Sequence, residues 1–162
     1  MDVRGTHWMG WGACLLLCGC LPDPMFPDEP TLSFESFAAM DNGTATMTLG
    51  FTDGDGNVGL SQGDTLPPYC ATCPYHHNLT GIYQQWDGEE WVTPPLLVPY
   101  AYRVPAAEPT GSSPALEGTI ALSLTSWYLA GTTSDSVRFQ WTLWDRDLQP
   151  SNTVTTPSLA VP

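Results

Sequence analysis

The sequence pattern with the clearest chemistry is an acidic loop that directly follows an apolar strand pattern. The loop reads Asp53-Gly54-Asp55-Gly56-Asn57, so that oxygen-bearing side chains alternate with glycines. Oxygen ligands on alternate residues allow a bent backbone to wrap a hard cation such as calcium. The alternative is an ordinary turn, in which glycine supplies a positive φ and Asp or Asn bonds to its own backbone. The loop is a candidate calcium site with Asp53, Asp55 and Asn57 as ligands.

Three further acidic residues extend this candidate site. Asp64 lies at the twelfth position counted from Asp53, where an EF-hand loop has its last ligand, but Val58 replaces the glycine needed at position six. The flanks also have strand character, so we reject a true EF-hand. In an immunoglobulin-like sandwich, the loops after the second and sixth strands lie at one end, which predicts that Asp145 and Asp147 approach the Asp53 loop. The alternative is that the arginine between these two acids neutralises the cluster through a salt bridge.

A second group of chemically capable residues is Cys70-Ala71-Thr72-Cys73, which precedes His76 and His77. Outside the cytoplasm, such a cysteine pair favours a disulfide that braces a loop. Cysteine and histidine are also ligands of zinc and copper. A redox pair would need a helix N-terminus in a βαβ unit, which this sequence does not predict. We expect a disulfide between Cys70 and Cys73 and keep a thiol or metal site as the alternative.

Other catalytic chemistry has little support in the sequence, so we expect no enzymatic activity. Beyond the N-terminal segment the only histidines are the adjacent pair, and nothing singles out two acids as a glycosidase pair. The sequence contains no phosphate-binding glycine loop before a helix and no dinucleotide fingerprint. It carries 17 acidic residues against four basic ones, all arginine, for a formal net charge of −13. This charge repels phosphate backbones and argues against a nucleic-acid partner.

Strand patterns dominate the chain that must position these residues. Apolar residues alternate with polar or small ones, and turn residues separate the segments. Strands are predicted near 31–37, 44–52, 79–86, 96–103, 117–124, 136–144 and 152–160, with a weaker one near 90–92. No segment has helical periodicity, and 16 prolines and 15 glycines disfavour helices. The pattern predicts an all-β chain, an antiparallel β-sandwich with an immunoglobulin-like Greek key of about seven strands; a small barrel is the alternative.

Aromatic residues beside the strands allow a different interpretation. Trp86, Trp91 and Trp144 lie at strand ends or opposite the apolar set. Exposed aromatic rings pack well against the apolar faces of sugars, so these residues are candidates for glycan binding. Core packing and cover of a sheet face explain the same residues without a ligand.

The N-terminal segment has the pattern of a targeting signal. Arg4 precedes an apolar stretch that closes in Leu17-Cys18-Gly19-Cys20, the layout of a secretory signal that ends in a cysteine. This segment resembles the lipobox of bacterial lipoproteins, which implies removal of residues 1–19 and acylation of Cys20. Residues 20–30 are rich in proline and are predicted to be an extended tether. Residues 31–162 are then predicted to form one β-sandwich domain.

Three stretches resemble a family of small bacterial lipoproteins of uncharacterised function. They are Phe51-Thr52-Asp53-Gly54-Asp55-Gly56-Asn57-Val58-Gly59-Leu60, Tyr100-Ala101-Tyr102-Arg103-Val104-Pro105, and the closing segment that begins at Val137 and ends in Val154-Thr155-Thr156-Pro157. The resemblance implies a lipid-anchored β-sandwich of the cell envelope and carries over no activity. This chain departs from it in residues 70–77, and in Asn57 where an aspartate is usual. By analogy with lipoprotein sorting, Leu21 after the acylated cysteine suggests the outer membrane.

The expected function combines these points. We expect a non-enzymatic, lipid-anchored envelope protein, a structural or binding module that calcium stabilises. Its partners would be the membrane, through the lipid anchor, and an envelope protein or a glycan. Glycan binding through exposed aromatics and a thiol or metal site at residues 70–77 are the alternatives.

Overall fold

The computed structural model describes residues 25–109 and 113–162, and in these residues the chain forms nine β-strands and no helix. The strands are β1 Thr31–Ala39, β2 Ala45–Asp53, β3 Leu79–Trp86, β4 Trp91–Val92, β5 Tyr100–Tyr102, β6 Leu116–Leu124, β7 Ser136–Leu143, β8 Val154–Thr155 and β9 Leu159–Ala160. The predicted signal segment 1–19 and the predicted acylation site Cys20 lie outside the described residues. Within the described part of the chain, no helix is long and apolar enough to cross a membrane.

The strands form two antiparallel sheets. One has the order β1–β2–β6. The other has the order β4–β3–β7–β8, with β5 also paired to β3 and β9 also paired to β7. Buried side chains from both sheets form a single core. The predicted all-β antiparallel sandwich is confirmed, whereas the immunoglobulin-like Greek key stays a prediction.

Proline explains where the observed strands are shorter than the predicted ones. The segment predicted at 96–103 is strand only over Tyr100–Tyr102, and it follows a stretch that contains Pro94, Pro95 and Pro99. The segment predicted at 152–160 is divided into β8 and β9 on either side of Pro157. Proline has no backbone N–H to donate to a ladder, so it interrupts strand pairing.

The core is built by the alternating residues of β2 and β7, which face each other from opposite sheets. The inward residues of β2 are Ala45, Met47, Leu49 and Phe51, and those of β7 are Val137, Phe139, Trp141 and Leu143. Across the core, the Trp141 Nε1 donates to the Met47 Sδ at 3.0 Å. These side chains exclude water from the space between the sheets, which is the main stabilising contribution to the fold.

The same alternation ends in a carboxylate on both strands. Asp53 takes the inward position after Phe51, and Asp145 takes the inward position after Leu143. Both residues are buried, with 0% and 1% of their surface exposed. Two acidic side chains therefore enter the same end of the core from opposite sheets.

Packing around Trp141 generates a prediction for β3. Gly81 pairs with Trp141, and a Cβ at position 81 would lie 2.6 Å from the indole ring. We expect Gly81→Ala to lower the free energy of unfolding by about 1–3 kcal/mol, because the ring must move within a close-packed core. Urea unfolding checks this result, with Thr80→Ala on the exposed face of the same strand as the control. Equal stability of Gly81→Ala and Thr80→Ala would contradict it.

Candidate cation site

The structure brings together the loop after β2 and the turn after β7. Val58 and Asp145 form an isolated antiparallel bridge between these segments. The Asn57 Nδ2 donates to the Asp55 Oδ2 at 2.8 Å and to the Asp147 Oδ2 at 3.1 Å. The asparagine amide thus joins one carboxylate of its own loop to one of the opposite turn.

Four side chains at this end form what we call the acidic cluster: Asp53, Asp55, Asn57 and Asp145. In each, one atom is held by the protein and one oxygen has no hydrogen-bond partner in it. The Asp53 Oδ2 accepts from the Val58 N–H at 2.8 Å, and the Asp145 Oδ1 accepts from the Gln149 N–H at 2.7 Å. The unpartnered atoms are Asp53 Oδ1, Asp55 Oδ1, Asn57 Oδ1 and Asp145 Oδ2.

These four oxygens are unusual for the molecule as well as for proteins in general. Among the described residues, five buried side-chain polar atoms lack a partner, and four of them belong to the acidic cluster. Buried polar atoms are normally hydrogen-bonded, because an unsatisfied one costs about 1–3 kcal/mol and an unpaired charge costs more. A cation that contacted these oxygens would remove this cost at each atom that it reached.

The donor set fits calcium. All four unpartnered atoms are carboxylate or amide oxygens, the ligands of hard cations, and neither nitrogen nor sulfur is among them. Asp53, Asp55, Asn57 and Asp145 are therefore the residues that would hold the ion. In the described ranges 25–109 and 113–162, no three His, Cys, Asp or Glu side chains are already grouped as a metal site. As placed, Asp53, Asp55 and Asp145 do not form such a group, so an ion would have to draw their carboxylates closer together.

Electrostatics within the acidic cluster oppose its ionisation. Burial, opposed by backbone N–H groups and aided by the carboxylates of Asp55 and Asp145, raises the pKa of Asp53 to about 6. Burial also raises the pKa of Asp145, with contributions from Asp55 and Asp147. No cationic side chain is among the causes of either shift. The cluster is thus a place of uncompensated negative charge.

The two remaining predicted ligands, Asp147 and Asp64, lie outside the acidic cluster. Asp147 is exposed and contacts the cluster through Asn57, so it stands at the rim. Asp64 is bonded elsewhere: its Oδ2 accepts from the Ser61 N–H at 2.7 Å, and its Oδ1 is 3.2 Å from the Arg146 Nη2. Because both Asp64 oxygens have protein partners, we leave this residue out of the ligand set. Arg146, whose salt bridge to these acids was the alternative to a metal site, pairs with Asp64.

Close packing of the backbone fixes the loop that carries three of the cluster residues. Gly56 has a φ of +73°, and a Cβ there would collide with the carbonyl oxygen of Pro114. Gly54 lies directly against the carbonyl oxygens of Phe26 and Pro27. Gly56 is therefore required both by the turn and by Pro114, whereas Gly54 is required by the backbone of Phe26 and Pro27.

The long loop between β2 and β3 contains a disulfide. The Sγ atoms of Cys70 and Cys73 are 2.01 Å apart, so the predicted pairing is present. In this bonded state the two sulfurs offer no thiolate to a metal ion. The Arg103 guanidinium also braces this loop by donating to the carbonyl oxygens of Ser61, Asp64 and His76 at 2.9–3.0 Å.

Ser61 lies in a short motif that the expectations above do not include. Gly59-Leu60-Ser61-Gln62-Gly63 has the Gly-x-Ser-x-Gly spacing of a nucleophile elbow, in which serine occupies a turn from a strand to a helix. No helix follows Ser61 in the described part of the chain. Its N–H donates to Asp64, and its carbonyl accepts from Arg103 at 2.9 Å. These contacts are those of a structural turn.

The three tryptophans singled out for glycan binding are all half-buried. Trp86 and Trp91 lie edge to face with ring centroids 5.5 Å apart, and the Arg138 guanidinium covers the Trp91 ring at 4.4 Å. Trp144 packs edge-on against Tyr75. One face of Trp91 is thus already occupied, and the rings of the first pair are inclined by 60° rather than coplanar.

Asn78 is a structural residue of this end that sequence reasoning missed. It is buried directly before β3, its Oδ1 accepts from the Val104 N–H at 2.7 Å, and its carbonyl accepts from the Trp144 N–H. It joins the segment after β5 to the segment after β7. Its only sequence signal is an amide at the start of a strand, which is common at turns.

The pKa shift of Asp53 predicts a pH dependence of the calcium-free protein. The pKa of the Asp53 carboxyl is near its ordinary value of 3.8 in the unfolded chain and about 6 in the folded protein. The folded state binds the extra proton, so this residue makes stability fall as pH rises from about 4 to above 6. The expected loss is about 1–3 kcal/mol.

Urea unfolding in EDTA across this pH range measures the loss. His77, whose pKa is lowered by burial, acts in the opposite direction, so the test is the difference between the parent and Asp53→Asn. That difference should grow in favour of Asn as the pH rises. A difference that stays constant with pH would contradict the prediction.

Comparisons with known proteins identify no relative of this chain. No protein-family model, no curated protein and no solved structure matches this chain. The lipoprotein resemblance stays a prediction.

Proposed function

We propose that this protein is a non-enzymatic, lipid-anchored module of the bacterial cell envelope whose β-sandwich is stabilised by a calcium ion bound in the acidic cluster. The observation that carries the calcium part is the set of four buried oxygens without partners. Two of them belong to residues that continue the inward alternation of facing strands, so they cannot turn to solvent without unfolding the end of the core.

The arrangement of the cluster supports a structural role for the ion. Asp53, Asp55 and Asn57 come from the loop after β2, and Asp145 comes from the turn after β7, so one ion would join the two sheets. Binding to the folded state alone stabilises it by mass action, by about 2.7 kcal/mol when calcium exceeds its dissociation constant 100-fold.

The envelope part of the proposal rests on the N-terminal lipobox and on charge. A net charge of −13 disfavours contact with anionic headgroups, and the proline-rich tether provides a spacer. A divalent cation is the natural counter-ion for such a domain. In this proposal, the anchored domain serves as a structural element or as a binding partner of another envelope protein.

Calcium addition to the full-length protein in detergent tests the metal site. After EDTA treatment, we expect saturating calcium to raise the melting temperature by roughly 10 °C, since the gain of about 2.7 kcal/mol is large for a domain of this size. Magnesium should have a smaller effect, because it demands a more regular oxygen geometry. An unchanged melting temperature in calcium would remove the site from the proposal.

Substitution of Asp53 separates a calcium site from a generally acidic surface. Asp53→Asn should abolish the calcium increment while raising stability in EDTA at neutral pH, because it removes a buried charge that lacks a cation. Asp87→Asn, at an exposed turn whose carboxylate bonds Glu89 and Glu90 N–H groups, is the matched control and should keep the increment. A calcium increment that survives in Asp53→Asn would place the ion elsewhere.

Asn57→Asp supplies a second, independent prediction. The Asn57 amide now donates to two carboxylates, and an aspartate there would repel both. We expect a lower melting temperature in EDTA and a larger rise on adding calcium, because the extra charge strengthens ion binding. Calorimetric titration and thermal unfolding measure the two effects. A smaller calcium response than in the parent would contradict the ligand role of Asn57.

A further inference from the structure

The segment that enters the sandwich lies against the loop of the acidic cluster. We call residues 26–30 the entry segment. The Gly54 N–H donates to the Pro27 carbonyl oxygen at 2.7 Å, and the Gly54 Cα faces the entry-segment backbone so closely that a Cβ would lie 2.6 Å from that oxygen. Pro30, the last residue before β1, is buried. The entry segment is thus held by the residue between two members of the cluster.

The turn that supplies Asp145 leads into a second contact at the start of β1. Asn152 follows this turn by a few residues, and its side-chain amide bonds both backbone groups of Leu32. The Leu32 N–H donates to the Asn152 Oδ1 at 2.8 Å, and the Asn152 Nδ2 donates to the Leu32 carbonyl at 3.0 Å. The hydroxyls of Thr31 and Thr52 lie 2.6 Å apart beside it. Each segment that contributes to the cluster therefore also holds the chain where it enters the domain.

We propose that the ion in the acidic cluster acts as a clamp on the entry segment, so that calcium sets how rigidly the sandwich is joined to its N-terminal tether. This inference rests on the proposed calcium site. With the ion bound, the Asp53 loop and the Asp145 turn are drawn together, and Gly54 and Asn152 hold the entry segment in place. Without it, repulsion among buried carboxylates separates the two segments, and the entry segment loses its attachment at Gly54.

The clamp lies at the end of the sandwich where the tether joins it. Thr31, the first residue of β1, pairs with Thr52 at the end of β2. The tether therefore reaches the sandwich at the end that carries the acidic cluster. A rigid joint there fixes the direction in which an anchored domain points. A loose joint lets the domain swing about the tether.

Distance measurements between spin labels on the full-length protein test the clamp. One label is placed at Met25→Cys, in the exposed position before the entry segment, and one at Ala130→Cys, exposed in the β6–β7 loop. We expect one narrow distance distribution in calcium and a several-fold broader one in EDTA. A chain with Ala130→Cys alone is the labelling control.

Two variants separate the clamp from the ion site. Gly54→Ala should give the broad distribution even in calcium while keeping the calcium-induced rise in melting temperature, because its methyl group displaces the entry segment and removes no ligand. Gly63→Ala, where a Cβ meets nothing closer than 3.6 Å, is the matched control and should stay narrow. Asn152→Ala removes the second contact and should broaden the distribution in calcium without any change in the ligand loop.

The outcomes distinguish the two proposals. Equal widths in calcium and EDTA, in a protein whose melting temperature still rises with calcium, would overturn the clamp and leave the calcium site standing. Narrow distributions in calcium for both Gly54→Ala and Asn152→Ala would overturn it as well. A melting temperature that ignores calcium would overturn the site and the clamp together.

Discussion

The constraint on which this structure depends is the burial of two carboxylates at one end of an apolar core. Asp53 and Asp145 occupy the next inward positions after Phe51 and Leu143, so the strand geometry that packs the core also removes both acids from water. Moving a strand by one residue would free the carboxylates but would expose every core residue of that strand. The fold therefore keeps both carboxyl groups out of water, whether or not the acidic cluster binds a cation.

The loops around the cluster are shaped by this constraint. In the Asp53 loop, the Val58 N–H donates to one oxygen of Asp53 and the Asn57 side-chain amide donates to one oxygen of Asp55, which leaves the other oxygen of each acid without a partner. Glycines keep the loop narrow enough for the segments at Pro27 and Pro114 to lie on top of it. The β2–β3 loop is held separately, by the Cys70–Cys73 disulfide and by Arg103. The β2–β3 loop and the acidic cluster are thus stabilised by different contacts.

Alternation in the sequence was enough to predict the sandwich, because period-two apolar patterns leave few other ways to bury one face of each strand. The same alternation carries a signal for the cluster that the spacing of acids alone does not: an aspartate in phase with a run of buried residues must be buried too. The engagement of Asp64 by Ser61 and Arg146 had no such signal, since it depends on the path of a long loop. Loop paths are set by tertiary contacts such as those of Arg103 and Asn78, which no local pattern records.

The acidic cluster lies at the end of the sandwich where the chain continues into the predicted N-terminal tether. An ion shared between two loops stabilises any sandwich, wherever it lies. Here the two segments that would share it also hold Pro27 and Leu32, the residues through which the domain continues toward its N-terminus. A cluster at the opposite end, near the Asp87 turn, would give the same stability without touching the tether. Because the acidic cluster lies at the entry to β1, an ion bound there would affect how the domain is joined to its tether as well as its stability.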